Sequence, residues 1–370
     1  MQAVAVEPGA RSVKLIQEAS PKVAGPSDVA LRILDVGICG TDREICAFEY
    51  GTPPPGSDHL VIGHESLGMV TDVGSAVSRV RVGDLVVPMV RRPCAHAECT
   101  ACRAGRQDFC YTGDFTERGI KGRNGFMTEV VVDDERYMNV VPPALRDVGV
   151  LVEPLTIAEK AMMQVDSVQQ RLPWACEVKP GAAAQTCHRA VVLGAGPVAL
   201  LGAMALVVRG YETTVYSRER APHPKVTATE AIGAHYVSAQ DATVEELAEQ
   251  VGNIDVVYEA TGAASVSFEA MRVLGTNGIF VFTGVPGRKA PIELDASTIM
   301  RNLVLKNQVV FGTVNAPREA FEQAVADLAE FHRRWPAVVG SLITGRHPVD
   351  AYRDLLTGPV QGIKNVLRFG

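Results

Sequence analysis

The sequence predicts an α/β protein in two parts, a β-rich part and a doubly wound parallel sheet. Three observations predict this. Residues from about 25 to 140 hold short β-rich runs, DVALRIL, LGMVTDV and DLVVPMV, broken by glycines and prolines, which marks strands joined by loops. From about 188 apolar strands alternate with helical stretches, the pattern of a parallel sheet covered on both faces. The 370 residues, 47% of them apolar, suffice to bury more than one core.

In order, the second part reads RAVVLGAG and then the helix PVALLGAMALVVRG, ETTVYS and a helix through TATEAIGA, IDVVYEATG, a helix near SFEAMRVLG, and GIFVFTGV. Beyond about 311 the pattern is mixed, with one long helix, PREAFEQAVADLAEFHRR. The expected division is residues 1–165 with 306–370 for the β-rich part, and 166–305 for the parallel sheet. CEVKPGAAAQTC, residues 176–187, reads as a loop inserted ahead of the first parallel strand.

Ala190 to Val208 is uncharged and apolar for 19 residues, near the length of a membrane span. Its interior GAGP breaks it into a strand and a helix, and a strand buried on both faces is also a continuous apolar run. A net charge of −6 without a basic run argues against a nucleic-acid surface, because phosphate contacts need clustered Lys and Arg. The expected partner is a small molecule. MQAVAVEPGARSVKL has no charged leader ahead of an apolar core, so no secretory signal is read and a cytoplasmic location is expected.

Gly194-Ala195-Gly196-Pro197-Val198-Ala199 is a GxGxxA placed directly after the strand AVVL and opening a helix. The first glycine permits the tight turn, the second lets a pyrophosphate approach the backbone, and the small third residue lets helix and strand pack closely. Phosphate oxygens would sit on the helix N-terminus. The bland reading is a strand-turn-helix that merely needs small residues. Thr261 and Gly262 in EATG, and Gly284 and Val285 in FTGV, are assigned to the same cofactor.

The second strand of such a unit ends in Asp or Glu when NAD is bound. Here TTVYSRER places Ser217, Arg218, Glu219 and Arg220 there instead. Arg218 and Arg220 are suited to grip a 2′-phosphate, so NADP is the expected cofactor, while Glu219 leaves NAD open.

Eight cysteines in a reducing compartment read as metal ligands or buried thiols, not disulfides. Cys94, Cys99, Cys102 and Cys110 form C-x4-C-x2-C-x7-C in a short polar loop, the donor set of a closed structural zinc site. His96 in place of one cysteine, and redox cysteines, are the alternatives. Cys46, Cys176 and Cys187 match no ligand pattern and read as ordinary thiols.

Cys39 in GICGTDREI, His64 and Glu65 in VIGHESLGMV, and Glu153 in LVEPLTIAEKA are all residue types that bind zinc, and three protein ligands plus one open position define a reactive site. Singly, each has a bland reading: a buried thiol, a satisfied core histidine, a carboxylate at a helix N-terminus.

Taken together and in order, GICGTD, GHE, GD-x-VVP, the four-cysteine lobe at 91–112, the late EPL and GAGPVALL resemble the zinc-dependent medium-chain dehydrogenase/reductase superfamily over nearly the whole chain. GICGTDREI, CRAGRQDFCYTGDFTERGI, GFMTEVVVDDERY and EPLTIAEKA look most like its glucose (aldose) 1-dehydrogenase branch. The resemblance implies a GroES-like β-rich domain and a Rossmann domain, and a dimer or tetramer built partly through the nucleotide-binding sheet. It implies that Cys39 and His64 hold a reactive zinc, with Glu65 or Glu153 entering the shell directly or through water. Thr41 would pass a proton outward and Asp42 would brace the cysteine loop. Zinc would lower the pKa of a sugar hydroxyl, and a hydride would move from the anomeric carbon to nicotinamide, giving the lactone.

Asp114, Glu117 and Asn315, with Thr41 and Glu153, are the candidate sugar contacts. Met89 and Val90 stand where a polar residue is expected, and Asp114 where Glu is expected, so a polyol or secondary-alcohol dehydrogenase is the alternative activity. A nicotinamide-binding sensor without catalysis is the third.

Overall fold

The computed structural model describes residues 1–174, 187–287 and 291–369, so the expected inserted loop lies outside the described residues except for Cys187. The chain divides into two compact units, one of Met1–Thr156, Asn315–Arg333 and Val339–Gly370, the other of Ile157–Val314 and Arg334–Val338.

The first unit is organised on a mostly antiparallel sheet. Its path runs Met138–Val141, Leu85–Pro88, Glu65–Val73, Asp28–Gly37, Lys364–Arg368, Ile343–Pro348, with Val130–Asp134 also pairing with Asp28–Gly37. Asp28–Gly37 is buried along almost its whole length, which explains why DVALRILDV reads as a nearly continuous apolar run. The register sets Gly37 opposite both Glu65 and Val366, so the end of one strand lies between the start of the second and the middle of the third. A small sheet of Arg91–Arg92, Thr116–Arg118 and Gly122–Arg123 frames the cysteine loop.

The second unit is a six-stranded parallel sheet in the order His235–Ser238, Glu212–Ser217, Arg189–Leu193, Val256–Glu259, Ile279–Phe282, Val309–Gly312. The apolar run that imitates a membrane span breaks into the strand Arg189–Leu193 and the helix Pro197–Val208. No helix among the described residues is long and apolar enough to cross a membrane. The helices expected near 227–234, 267–275 and 317–334 are present as Pro224–Ala231, Ala264–Val273 and Arg318–Arg334.

One expectation is corrected. Cys187 is not an ordinary thiol but is disulfide-bonded. The reducing-compartment argument from composition could not see an individual pairing. Cys46 is a free, buried thiol as expected, and Cys176 lies outside the described residues.

Candidate metal centre and nucleotide site

Strand Asp28–Gly37 runs into the short helix Gly40–Cys46, and Cys39 is the residue that starts it. Asp42, fully buried, accepts from the Cys39 backbone N–H with Oδ2 (2.9 Å) and from the Gly63 N–H with Oδ1 (3.2 Å). That one carboxylate therefore ties the cysteine turn to the step that presents His64. Gly63 has φ +90, and a Cβ there would lie 2.5 Å from Met127 Cγ, so only glycine fits the step.

Cys39, His64 and Glu65 offer ligand atoms that all lie within 4.8 Å of one another. His64 Nδ1 faces Asp42 Oδ1 at 3.3 Å, which leaves Nε2 for a metal. Burial would lower the His64 pKa, but the Asp42 carboxylate and Cys39 outweigh it and hold the ring well above its ordinary value. A buried imidazole surrounded by anionic groups is a place where a cation is stabilised, so thiolate, imidazole and carboxylate here fit zinc.

Glu65 is fixed from behind. Lys364 Nζ donates to Glu65 Oε2 at 2.5 Å and to the Ile38 carbonyl at 3.0 Å. The residue facing Glu65 across the sheet, Gly37, has no Cβ, and one built there would lie 2.3 Å from Oε2. Glu153 sits in the first turn of the helix Val152–Gln169. Burial pushes its carboxyl up to about 7, with His64 and Lys364 drawing it down and Glu65 and Asp42 adding to the rise. It shares the electrostatic field of the cluster without joining the three closely spaced donors. Thr41 is half-buried beside Cys39.

Four sulfurs, of Cys94, Cys99, Cys102 and Cys110, form a second set within 4.8 Å, and His96 is not part of it. His96 instead pairs with Asp114 at 2.5 Å, both side chains exposed. Glu117 is buried, accepting from Arg91 Nε (3.0 Å) and from Asn315 Nδ2 (3.0 Å), so Glu117 and Asn315 do meet. The Tyr50 hydroxyl feels Glu117, Arg91 and His64 together, and burial is the main cause of its raised pKa. Tyr50, about half of whose surface is exposed, was not singled out by the sequence, in which a lone tyrosine carries no mark.

In the second unit Gly194 has φ +101, and nothing lies within 4 Å of a Cβ built on Gly196, which begins the helix Pro197–Val208. That open backbone is where a pyrophosphate can approach. Thr261 and Gly262 are gathered by Glu259: one carboxylate oxygen accepts from the Thr261 N–H (2.6 Å), the Thr261 hydroxyl (2.6 Å) and the Gly262 N–H (2.8 Å). The other accepts from the Gly284 N–H at 3.2 Å. Glu259 was overlooked in the sequence, although an acid closing the buried strand Val256–Glu259 is itself a signal. Val285 is exposed.

At the end of strand Glu212–Ser217 the Ser217 hydroxyl donates to Glu219 (2.7 Å). Arg220 pairs with Asp241 at 2.5 Å. Arg218 is exposed, and its guanidinium makes no hydrogen bond or ion pair among the described residues.

Comparison with known proteins places the whole chain in one family. Residues 25–143 match the alcohol dehydrogenase GroES-like domain, and residues 146–369 match the glucose dehydrogenase C-terminus. The chain is 36% identical to a glucose 1-dehydrogenase of Methanocella arvoryzae, over 100% of both chains. It is 37% identical to a glucose 1-dehydrogenase of Thermoproteus tenax, over 100% of this chain and 99% of the other. The structure of Haloferax mediterranei glucose dehydrogenase in complex with NADP, Zn and gluconolactone superposes with a TM-score of 0.86 at 31% identity, covering 100% of this chain and 99% of that one. By full-length sequence and by fold, this chain belongs to the glucose dehydrogenase branch of the zinc-dependent medium-chain dehydrogenases.

Proposed function

We propose that this protein moves a hydride from the anomeric carbon of an aldose such as D-glucose to NADP, giving the lactone. The observation that carries the reading is the gathered Cys39, His64 and Glu65, in a chain alike from end to end to a glucose dehydrogenase whose structure holds NADP, Zn and gluconolactone. Zinc, when bound, supplies the Lewis acidity that lowers the pKa of the sugar hydroxyl, and NADP takes the hydride. The chain does the rest. Cys39 and His64 hold the metal, with Glu65 or Glu153 completing its shell. Asp42 fixes the cysteine turn and the imidazole. Thr41 takes the hydroxyl proton outward, and Glu153, poised near 7, is suited to exchange it.

Glu117 and Asn315 are assigned to sugar binding, since a fixed carboxylate–amide pair can both accept from and donate to hydroxyls, and Asp114 contributes from the lobe. Cys94, Cys99, Cys102 and Cys110 hold a structural zinc. Gly194, Gly196, Pro197 and Val198 receive the pyrophosphate, Thr261, Gly262, Gly284 and Val285 the nicotinamide end, and Ser217, Arg218 and Arg220 surround the adenosine ribose.

The open edge of the parallel sheet, Val309–Gly312, and the exposed Met300, Val304 and Leu305 on the helix Ala296–Leu305 support assembly into a homodimer or homotetramer through that face. A cytoplasmic setting fits the free thiols of Cys39, Cys94, Cys99, Cys102 and Cys110, which ligate only while reduced.

A polyol or secondary alcohol is the second reading, favoured by Met89 and Val90, which are buried and apolar where a sugar site would want polar groups. Absorbance at the nicotinamide band, with D-glucose, D-galactose, D-xylose or sorbitol and either NADP or NAD, separates the two. Reduction with an aldose, lactone as product and inhibition by a zinc chelator support the aldose reading. Ketone from sorbitol, with every aldose silent, replaces it by the second.

A further inference from the structure

The end of strand Glu212–Ser217 presents a carboxylate, Glu219, where a dinucleotide ribose is bound, and a carboxylate there repels a 2′-phosphate. In this chain it is already engaged. Lys225 Nζ stands 2.5 Å from Glu219 Oε1, and both side chains are about four-fifths buried, at 19% and 20% exposure. The Ser217 hydroxyl donates to Oε2 at 2.7 Å, and the Tyr236 hydroxyl donates to the Glu219 carbonyl at 2.9 Å. Lys225 reaches back from the first turn of the helix Pro224–Ala231, so the loop 218–223 is closed on itself by this pair.

The neighbouring charges are unequal in availability. Arg220 is held by Asp241 and by the Gln240 carbonyl, whereas among the described residues Arg218 is bonded through its backbone carbonyl, by Gln240 Nε2, and its side chain is exposed. Three cations, Arg218, Arg220 and Lys225, face two anions, Glu219 and Asp241. With Lys225 the balance is one positive charge, carried by Arg218; without it the balance is zero and Glu219 is unpaired.

We propose that Lys225 is a specificity-determining positioning residue: by holding Glu219 away as its own counter-ion, it makes the ribose subsite accept a 2′-phosphate on Arg218. The inference rests on the NADP reading above. It makes Glu219 a latent ribose ligand that is silenced by a lysine on the next helix, and it places the choice between NADP and NAD in one buried ion pair. The lowered pKa of Glu219, about 2, agrees with a carboxylate held by Lys225 and Ser217 against the effect of its burial.

The test is calorimetric titration of the zinc-loaded full chain with 2′,5′-ADP and with 5′-ADP, which differ only by the 2′-phosphate. The wild type binds 2′,5′-ADP more tightly; equal affinities would overturn the NADP reading itself, and this proposal with it. In Lys225→Met, 2′,5′-ADP binds roughly tenfold more weakly, the effect of one uncompensated carboxylate near a phosphate, while 5′-ADP binds as before or more tightly. Adding Glu219→Gln to Lys225→Met restores 2′,5′-ADP binding, and Lys225→Arg retains it. Equal weakening of both ligands, or no change in either, would show that Lys225 only shapes the loop. Should Lys225→Met not fold, Glu219→Gln alone decides: tighter 2′,5′-ADP with unchanged 5′-ADP supports the lock, and weakening of both removes it.

Discussion

Lys364 and Glu65 form a buried ion pair, Nζ to Oε2 at 2.5 Å, with side-chain exposures of 2% and 1%. Neither charge can be hydrated, so each exists because of the other. Removing one partner of such a pair costs about 3–5 kcal/mol, because the remaining charge is stranded. Lys364→Met should therefore lower the stability of the zinc-stripped chain by about 3 kcal/mol, read from urea midpoints. Zinc should recover part of this, since a metal cation can stand in for the ammonium opposite Glu65. Equal losses with and without zinc would mean that Glu65 does not face the metal.

Glu153 gives the stripped protein a pH dependence of defined sign. Its folded-state carboxyl titrates at about 7 against an ordinary 4.5, raised by burial. The folded chain thus keeps a proton that the unfolded chain has released. Its contribution to stability is complete below about 4.5 and is lost as pH rises through about 7. Urea midpoints of zinc-free wild type should fall across this window, and Glu153→Gln should flatten that slope. An identical slope in the variant would assign the titration to another group.

What the sequence made legible was chemistry carried by short strings. GICGTD, GHE, the four cysteines and GAGPVA announce themselves because a ligand or a phosphate turn needs a residue type at a fixed spacing. Alternating strands and helices likewise mark the parallel sheet in the sequence itself. Lys364 could not be found that way. It lies 299 residues from Glu65 and looks like any lysine near a C-terminus until the register brings strand Lys364–Arg368 to Gly37. Lys225 is hidden for a related reason: only the closed loop shows that Glu219 is spent. Asp114 is a further case, since nothing in its motif TGDF shows that its carboxylate pairs with His96.

The four-cysteine lobe contains only a short helix, Thr100–Arg103, and a single helical turn of residues 107–109, too little core to hold itself. Its sulfurs converge within 4.8 Å, which makes the metal the principal tie. Cys102→Ser should release about one zinc per chain, measured by atomic absorption, and lower the melting temperature by several degrees. The reactive site should keep its own zinc. An unchanged melting temperature would show that the lobe is held by protein contacts alone.

Glu259 holds two separate strand-end loops with one carboxylate, accepting from Thr261 and Gly262 on one oxygen and from Gly284 on the other. A Cβ on Gly284 would lie 2.2 Å from the Gly262 nitrogen, so the loops touch and any shift of one moves the other. Glu259→Gln keeps the shape but turns one acceptor into a donor, which must then face an N–H. Hydrogen bonds to a charged group are worth about 1.5–3 kcal/mol each, and at least one is lost outright. Nucleotide affinity should fall roughly tenfold for NADP and for NAD alike, because both share the nicotinamide end these loops are assigned to. Quenching of NADPH fluorescence measures it, with kcat changing less than KM. A loss confined to NADP would place Glu259 at the adenosine ribose instead, and unchanged affinity with a lower melting temperature would reduce it to a purely structural tie.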